Sequence, residues 1–154
     1  DSTAVSVALG YKFGTGDKDD FLGSGADDVF VALRFSGAHL ADLPLSWHSH
    51  AGYLRAGDSD LLAGIQQQNL WFAGLALDWQ FAQHWSLIVQ LDSHGAPLHS
   101  DLTGVGDDAV LGTVGARWYF ARQWSVDMSV VEDIRVETAP DVTFQASLNY
   151  RPAS

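Results

Sequence analysis

Apolar and polar residues alternate along eight stretches of the chain, and the apolar positions repeatedly end in tryptophan, tyrosine or phenylalanine. From Val142 to Arg151 one face carries Val142, Phe144, Ala146, Leu148 and Tyr150, while the other carries Thr143, Gln145, Ser147, Asn149 and Arg151. Successive strand side chains point to opposite faces, so a period of two predicts a strand with one oily and one hydrophilic side. The same reading gives strands over Ala4–Phe13, Asp28–Ser36, Leu45–Leu54 and Leu70–Phe81. Three more are expected over Trp85–Asp92, Val110–Phe120 and Trp124–Val130. Several approach the ~9–11 residues that a tilted strand needs to cross a membrane.

The connections add a second pattern. Ala82–His84 and Ala121–Gln123 are short, whereas Gly14–Asp27, Arg55–Asn69 and Ser93–Asp108 are long, acidic and glycine-rich. Short turns at one end and long loops at the other characterise outer-membrane barrels. Gly37–Pro44 is long for a turn and fits this scheme least well. Trp47, Trp79, Trp85, Trp118, Trp124 and Tyr150 fall at the turn ends of their strands, and Trp71 at a loop end. Amphipathic rings favour the membrane–water interface, so these seven, joined by Phe35, Phe81 and Phe120 at the turn end and Tyr11, Phe13 and Tyr53 at the loop end, are expected to form two girdles. The fold expected is therefore all-β: an antiparallel, up-and-down transmembrane β-barrel of eight strands, with residues 1–154 as one domain.

Charge and composition narrow the partners. Nineteen acidic against eight basic residues give a net charge of −11, which repels phosphate backbones and argues against nucleic-acid binding. Cysteine is absent, so disulfides and thiolate metal sites are excluded. No apolar run approaches the roughly 18 residues of a membrane-spanning helix. Asp1 directly precedes the first strand, so a mature chain or a piece of a longer protein is expected.

Several segments resemble an uncharacterised bacterial family, a domain of unknown function whose members look like secreted outer-membrane proteins. They include Gly10–Asp17, Leu22–Asp27, Gly57–Leu61, Gln90–His94, Gly106–Ala109 and Gly115–Trp118. The most distinctive runs from Glu132–Ile134 to Thr138–Val142. The family pattern is longer than this chain and has extra sequence before the matching part. The resemblance thus implies either the C-terminal portion of a larger barrel or a shortened relative, and it transfers no site residues.

Candidate chemistry is sparse. Lys12, Arg34 and Arg117 share the inward face with Asp78, Asp92 and Asp127, and unpaired buried charge is costly, so a paired polar network is expected there. His48 and His50 point the same way beside Ser46, a weak metal or nucleophile signal. His94 and His99 lie near Asp92, Ser93, Ser100 and Asp101, the arrangement a rim hydrolase would use. Acidic clusters at Asp17–Asp20, Asp27–Asp28, Asp58–Asp60 and Asp107–Asp108 offer carboxylates to calcium but lack EF-hand order.

These features predict a non-catalytic outer-membrane scaffold or loop-mediated binding protein, with no cofactor, no catalytic residue and no resident metal. The alternatives are a passive pore or hydrophobic-solute transporter within a larger barrel, and a lipid-modifying hydrolase. Expected partners are outer-membrane lipid including lipopolysaccharide, the barrel-assembly machinery during insertion, and a second copy or a missing N-terminal part. Both termini are expected in the periplasm, with the acidic loops extracellular.

Overall fold

The computed structural model describes residues 3–16, 24–40, 43–59, 62–100, 106–135 and 142–152. It contains eight strands in one sheet: β1 (Thr3–Lys12), β2 (Asp28–Gly37), β3 (Leu45–Arg55), β4 (Asn69–Ala82), β5 (Trp85–His94), β6 (Ala109–Ala121), β7 (Trp124–Asp133) and β8 (Val142–Tyr150). Each pairs antiparallel with its sequence neighbour, so the spatial order is the chain order. All eight alternating stretches are strands, and the up-and-down topology is as expected.

The register keeps the oily positions on one face across the whole sheet. Val7 pairs with Leu33, Leu75 with Leu91, Val89 with Val114, and Val126 with Leu148. That face is bare: Leu9 is 78% exposed, Phe144 79%, Leu148 62% and Leu75 48%. Among the described residues the buried apolar side chains are only Ala26, Ala32, Ala56 and Ala96. A soluble sandwich would bury these leucines against a second layer. Here no second layer exists among the described residues.

Both two-residue hairpins share one sequence, Phe-Ala-x-x-Trp-Ser, at Phe81–Ser86 and Phe120–Ser125. Each carries a register shift just before the turn, between Trp79 and Ala82 and between Tyr119 and Ala121. Positive φ occurs at His39, Gly25 and Gly64 among the described residues, and at no residue of these turns. Without a left-handed residue the primed turn types are closed to them, and the bulge absorbs the mismatch in twist. Ser86 and Ser125, two residues past each turn, are both buried.

The sheet curls toward its polar face. Asp78 on β4 reaches Arg117 on β6 across β5. His48 on β3 and Arg151, just past β8, line one hollow, although in a flat sheet those strands would stand about 24 Å apart. The expected closure is not observed, however: β1 and β8 do not pair and remain edge strands, mostly exposed on both faces. Curvature brings the turn ends of β3 and β8 together but leaves the edges apart.

Candidate functional site: the polar face and its rim

Three of the six expected network residues form one cluster. Arg117 on β6 donates from Nε and Nη2 to the two carboxylate oxygens of Asp127 on β7, at 2.7 and 2.8 Å. Its Nη1 donates to Asp78 at 2.8 Å. Arg117 and Asp127 are direct cross-strand partners, and the planar guanidinium matches the carboxylate as a fork. One arginine thus answers two carboxylates, and all three side chains are only about one-fifth exposed (20%, 21% and 24%).

The other three go elsewhere. Lys12 pairs with Asp28 at 2.6 Å at the loop end of β1 and β2, and also reaches Ser24. Asp92 accepts from Gln90 at 2.6 Å and lies 3.9 Å from His50. Arg34 has no ion pair or hydrogen bond through its side chain among the described residues. One network was expected; the face holds a cluster, a rim pair and an unpaired arginine.

Phe30 and Phe72 are polar-face residues that a simple apolar–polar alternation leaves out. Both point to the polar side and meet edge to face at 6.3 Å, with His50 at 5.9 Å from Phe72. Each ring covers a cross-strand glycine: Phe30 lies over Gly10, and Phe72 over Gly52. A Cβ at either glycine would overlap the ring. The signal available beforehand is glycine opposite phenylalanine in the register.

The loop end is knitted together. Asp27 accepts from the Tyr11 hydroxyl at 2.5 Å and the Gly14 amide at 2.6 Å. These bonds, with Lys12 nearby, hold its carboxyl below the ordinary range despite a small opposing effect of desolvation. Gly57 N–H donates to Asp28, Gln66 bridges Ser59 and Gly57, and the Ser59 hydroxyl donates to the Ser24 carbonyl. An isolated bridge joins Gln66 to Leu98.

His94 and His99 lie against a backbone carbonyl and a side-chain amide. His94 Nδ1 lies 3.1 Å from its neighbour's carbonyl at Gly95, and His99 Nδ1 lies 3.4 Å from Gln67. Ser93 donates to the Ala109 carbonyl. Among the described residues no three histidine or acidic side chains come together as a metal-ligand group. The Asp17–Asp20 cluster, Asp60, Asp101 and the family stretch Thr138–Asp141 lie outside the described residues.

The aromatic residues sort by strand end on the oily face. At the turn end Trp85 stacks on Trp118 at 6.0 Å, Trp118 meets Phe120 at 5.5 Å, and Trp124 meets Tyr150 at 4.8 Å. Trp79 and Phe81 form a further pair, and Trp47 lies half-buried with its ring edge over Gly37. At the loop end stand Trp71, 45% exposed, and the Tyr11–Phe13 pair.

Hollows of about 320 to 770 Å³ run along the polar face. The largest lies among β5 to β8 and includes Arg117 and Asp127; another, about 400 Å³, lies beside Arg34. Neither the curated proteins nor the solved structures include a match to this chain. The model of a protein family of unknown function, DUF3187, matches residues 1–152, and the chain belongs to that family.

Proposed function

We propose that this chain forms part of the wall of a bacterial outer-membrane β-barrel and that its polar face lines a passage for solutes. The observation that carries the reading is a predominantly oily face, exposed on every strand, backed by a hollowed face bearing the charges. Hydrocarbon outside and water inside satisfy both faces, and the aromatic residues at the strand ends suit the two interfaces.

A passage fits better than a filled core. An eight-stranded barrel is just wide enough for side chains to fill. Here β1 and β8 stay apart and the hollows remain open. An open strand edge cannot stand in hydrocarbon, where each unsatisfied backbone group costs several kcal/mol. In the membrane β1 and β8 therefore pair with further strands, and the barrel is wider than eight.

The test is conductance across a planar lipid bilayer after reconstitution of the full-length protein. A steady ionic current is expected. Correctly inserted protein passing no current contradicts the passage.

A second reading rests on the rim, where Asp27, Asp28 and Ser59 tie two loops together and the Gln66–Leu98 bridge adds a third. Loop-mediated binding at the outer surface is the function such a built rim supports. A partner captured at intact cells, and lost when residues 56–68 are replaced by a glycine–serine linker, is the corresponding result.

A further inference from the structure

The register sets three polar side chains in a row across β1, β2 and β3: Ser6 opposite Arg34, and Arg34 opposite His50. The adjacent row places Ser36 opposite His48. Directly opposed side chains in an antiparallel sheet stand about 4.5–5.5 Å apart at Cβ, so these groups face one volume. That volume is a hollow of about 400 Å³, walled on one side by Phe30 and Phe72.

Arg34 is the key residue. A guanidinium offers five N–H donors, and none of those on Arg34 is used among the described residues. Among the described residues no carboxylate lines the hollow; the acid of the row is Asp92, 3.9 Å from His50. The acidic rim is remote. Asp28 lies six residues along β2, about 20 Å at the usual strand rise, or about two and a half Debye lengths at physiological salt. The positive charge at Arg34 is therefore not cancelled from above.

We propose that this hollow binds a small organic anion, its carboxylate held by Arg34 with Ser6, Ser36 and the histidines as neighbours, and its apolar body against Phe30 and Phe72. A planar carboxylate meets arginine through two parallel hydrogen bonds, which gives orientation as well as attraction. The hollow lies within the ~300–1,000 Å³ range of small-ligand sites and has their make-up, an apolar wall with a few convergent polar groups. The inference rests on the passage reading for how the ligand arrives and gives that passage a substrate class.

The experiment titrates 4-fluorobenzoate into the full chain folded in detergent micelles and follows the ¹⁹F resonance. Saturable binding is expected, at least tenfold weaker in Arg34→Gln and intermediate in Arg34→Lys, which keeps the charge but loses the fork. Neutral 4-fluorobenzamide should bind at least tenfold more weakly than the acid, and acetate should compete poorly because it lacks the ring. Circular dichroism checks that each variant is folded, and Arg34→Lys stands in if Arg34→Gln is not. Equal binding by Arg34→Gln, equal binding of the amide, or no saturable binding overturns the proposal. A chain that binds 4-fluorobenzoate but passes no current keeps the site and loses the passage; a conducting chain that does not bind it does the reverse.

Discussion

Replacing Arg117 by glutamine removes the cation between two carboxylates. Arg117 makes a two-pronged contact with Asp127 and a third bond to Asp78, so the variant leaves two half-buried acids with no counter-charge. Breaking a fully buried pair by removing one partner costs about 3–5 kcal/mol. The three groups are 20–24% exposed, and water reaching them lowers the cost to about 2–3 kcal/mol. Arg117→Gln should therefore lower the unfolding free energy by that amount in urea titrations of vesicle-bound protein, followed by tryptophan fluorescence. The acids then explain the loss. Arg117→Gln combined with Asp78→Asn and Asp127→Asn should return to within about 1 kcal/mol of the parent, since no charge is left unpaired. A double-mutant cycle between Arg117→Gln and Asp127→Asn should show coupling of about 1–3 kcal/mol. An Arg117→Gln loss below about 0.5 kcal/mol with no coupling to either aspartate would mean that Arg117 does not neutralise these acids.

Three further outcomes test other parts of the account. Leu75→Arg, on the oily face near mid-strand, should cost about 2–4 kcal/mol in vesicles, whereas Ser147→Arg, inward-facing and opposite Asp127, should cost less than about 1 kcal/mol. Asp27 has a folded-state value below that of an unfolded aspartate, so its tether is complete above about pH 4 and is lost as pH falls through the lower folded value. Hydrogen exchange should show protection of the Gly14 amide falling only in acid, and Asp27→Asn should remove that pH dependence. Cysteines at Ala4 and Asn149, at the turn ends of the two edge strands, should form no disulfide within one chain on oxidation; a single-chain loop on a gel would show that β1 and β8 close on each other.

The strands and their order were legible because the signal is local. Alternation over Val142–Tyr150 or Leu70–Phe81 needs no knowledge of the rest of the chain, and short links compel neighbouring strands to pair. Closure was not legible. Whether β1 meets β8 depends on curvature accumulated over the whole sheet and on the bulges at the two Phe-Ala-x-x-Trp-Ser turns, which apolar counting does not register. The charged residues show the same division. Arg117 and Asp127 share a row, so their pairing follows from the register. Arg34 remains unpaired among the described residues because its direct cross-strand neighbours are Ser6 and His50, while the acid of that row, Asp92, stands two strands beyond His50. Phe30 and Phe72 escaped notice because both belong to the polar phase of their strands and are accommodated only by glycines one strand away.

The central claim is that the oily face meets hydrocarbon while the opposite face meets water. Single nitroxide labels can be introduced cleanly, since the chain has no cysteine. Labels at Leu75, Leu77, Met128 and Val130, and separately at Ala76 and Ser129, would be compared in lipid vesicles for collision with oxygen and with a water-soluble nickel chelate. Oxygen-rich, nickel-poor collision is expected at the first four and the reverse at the last two. High nickel access at Leu75, Leu77, Met128 and Val130 would contradict the central claim.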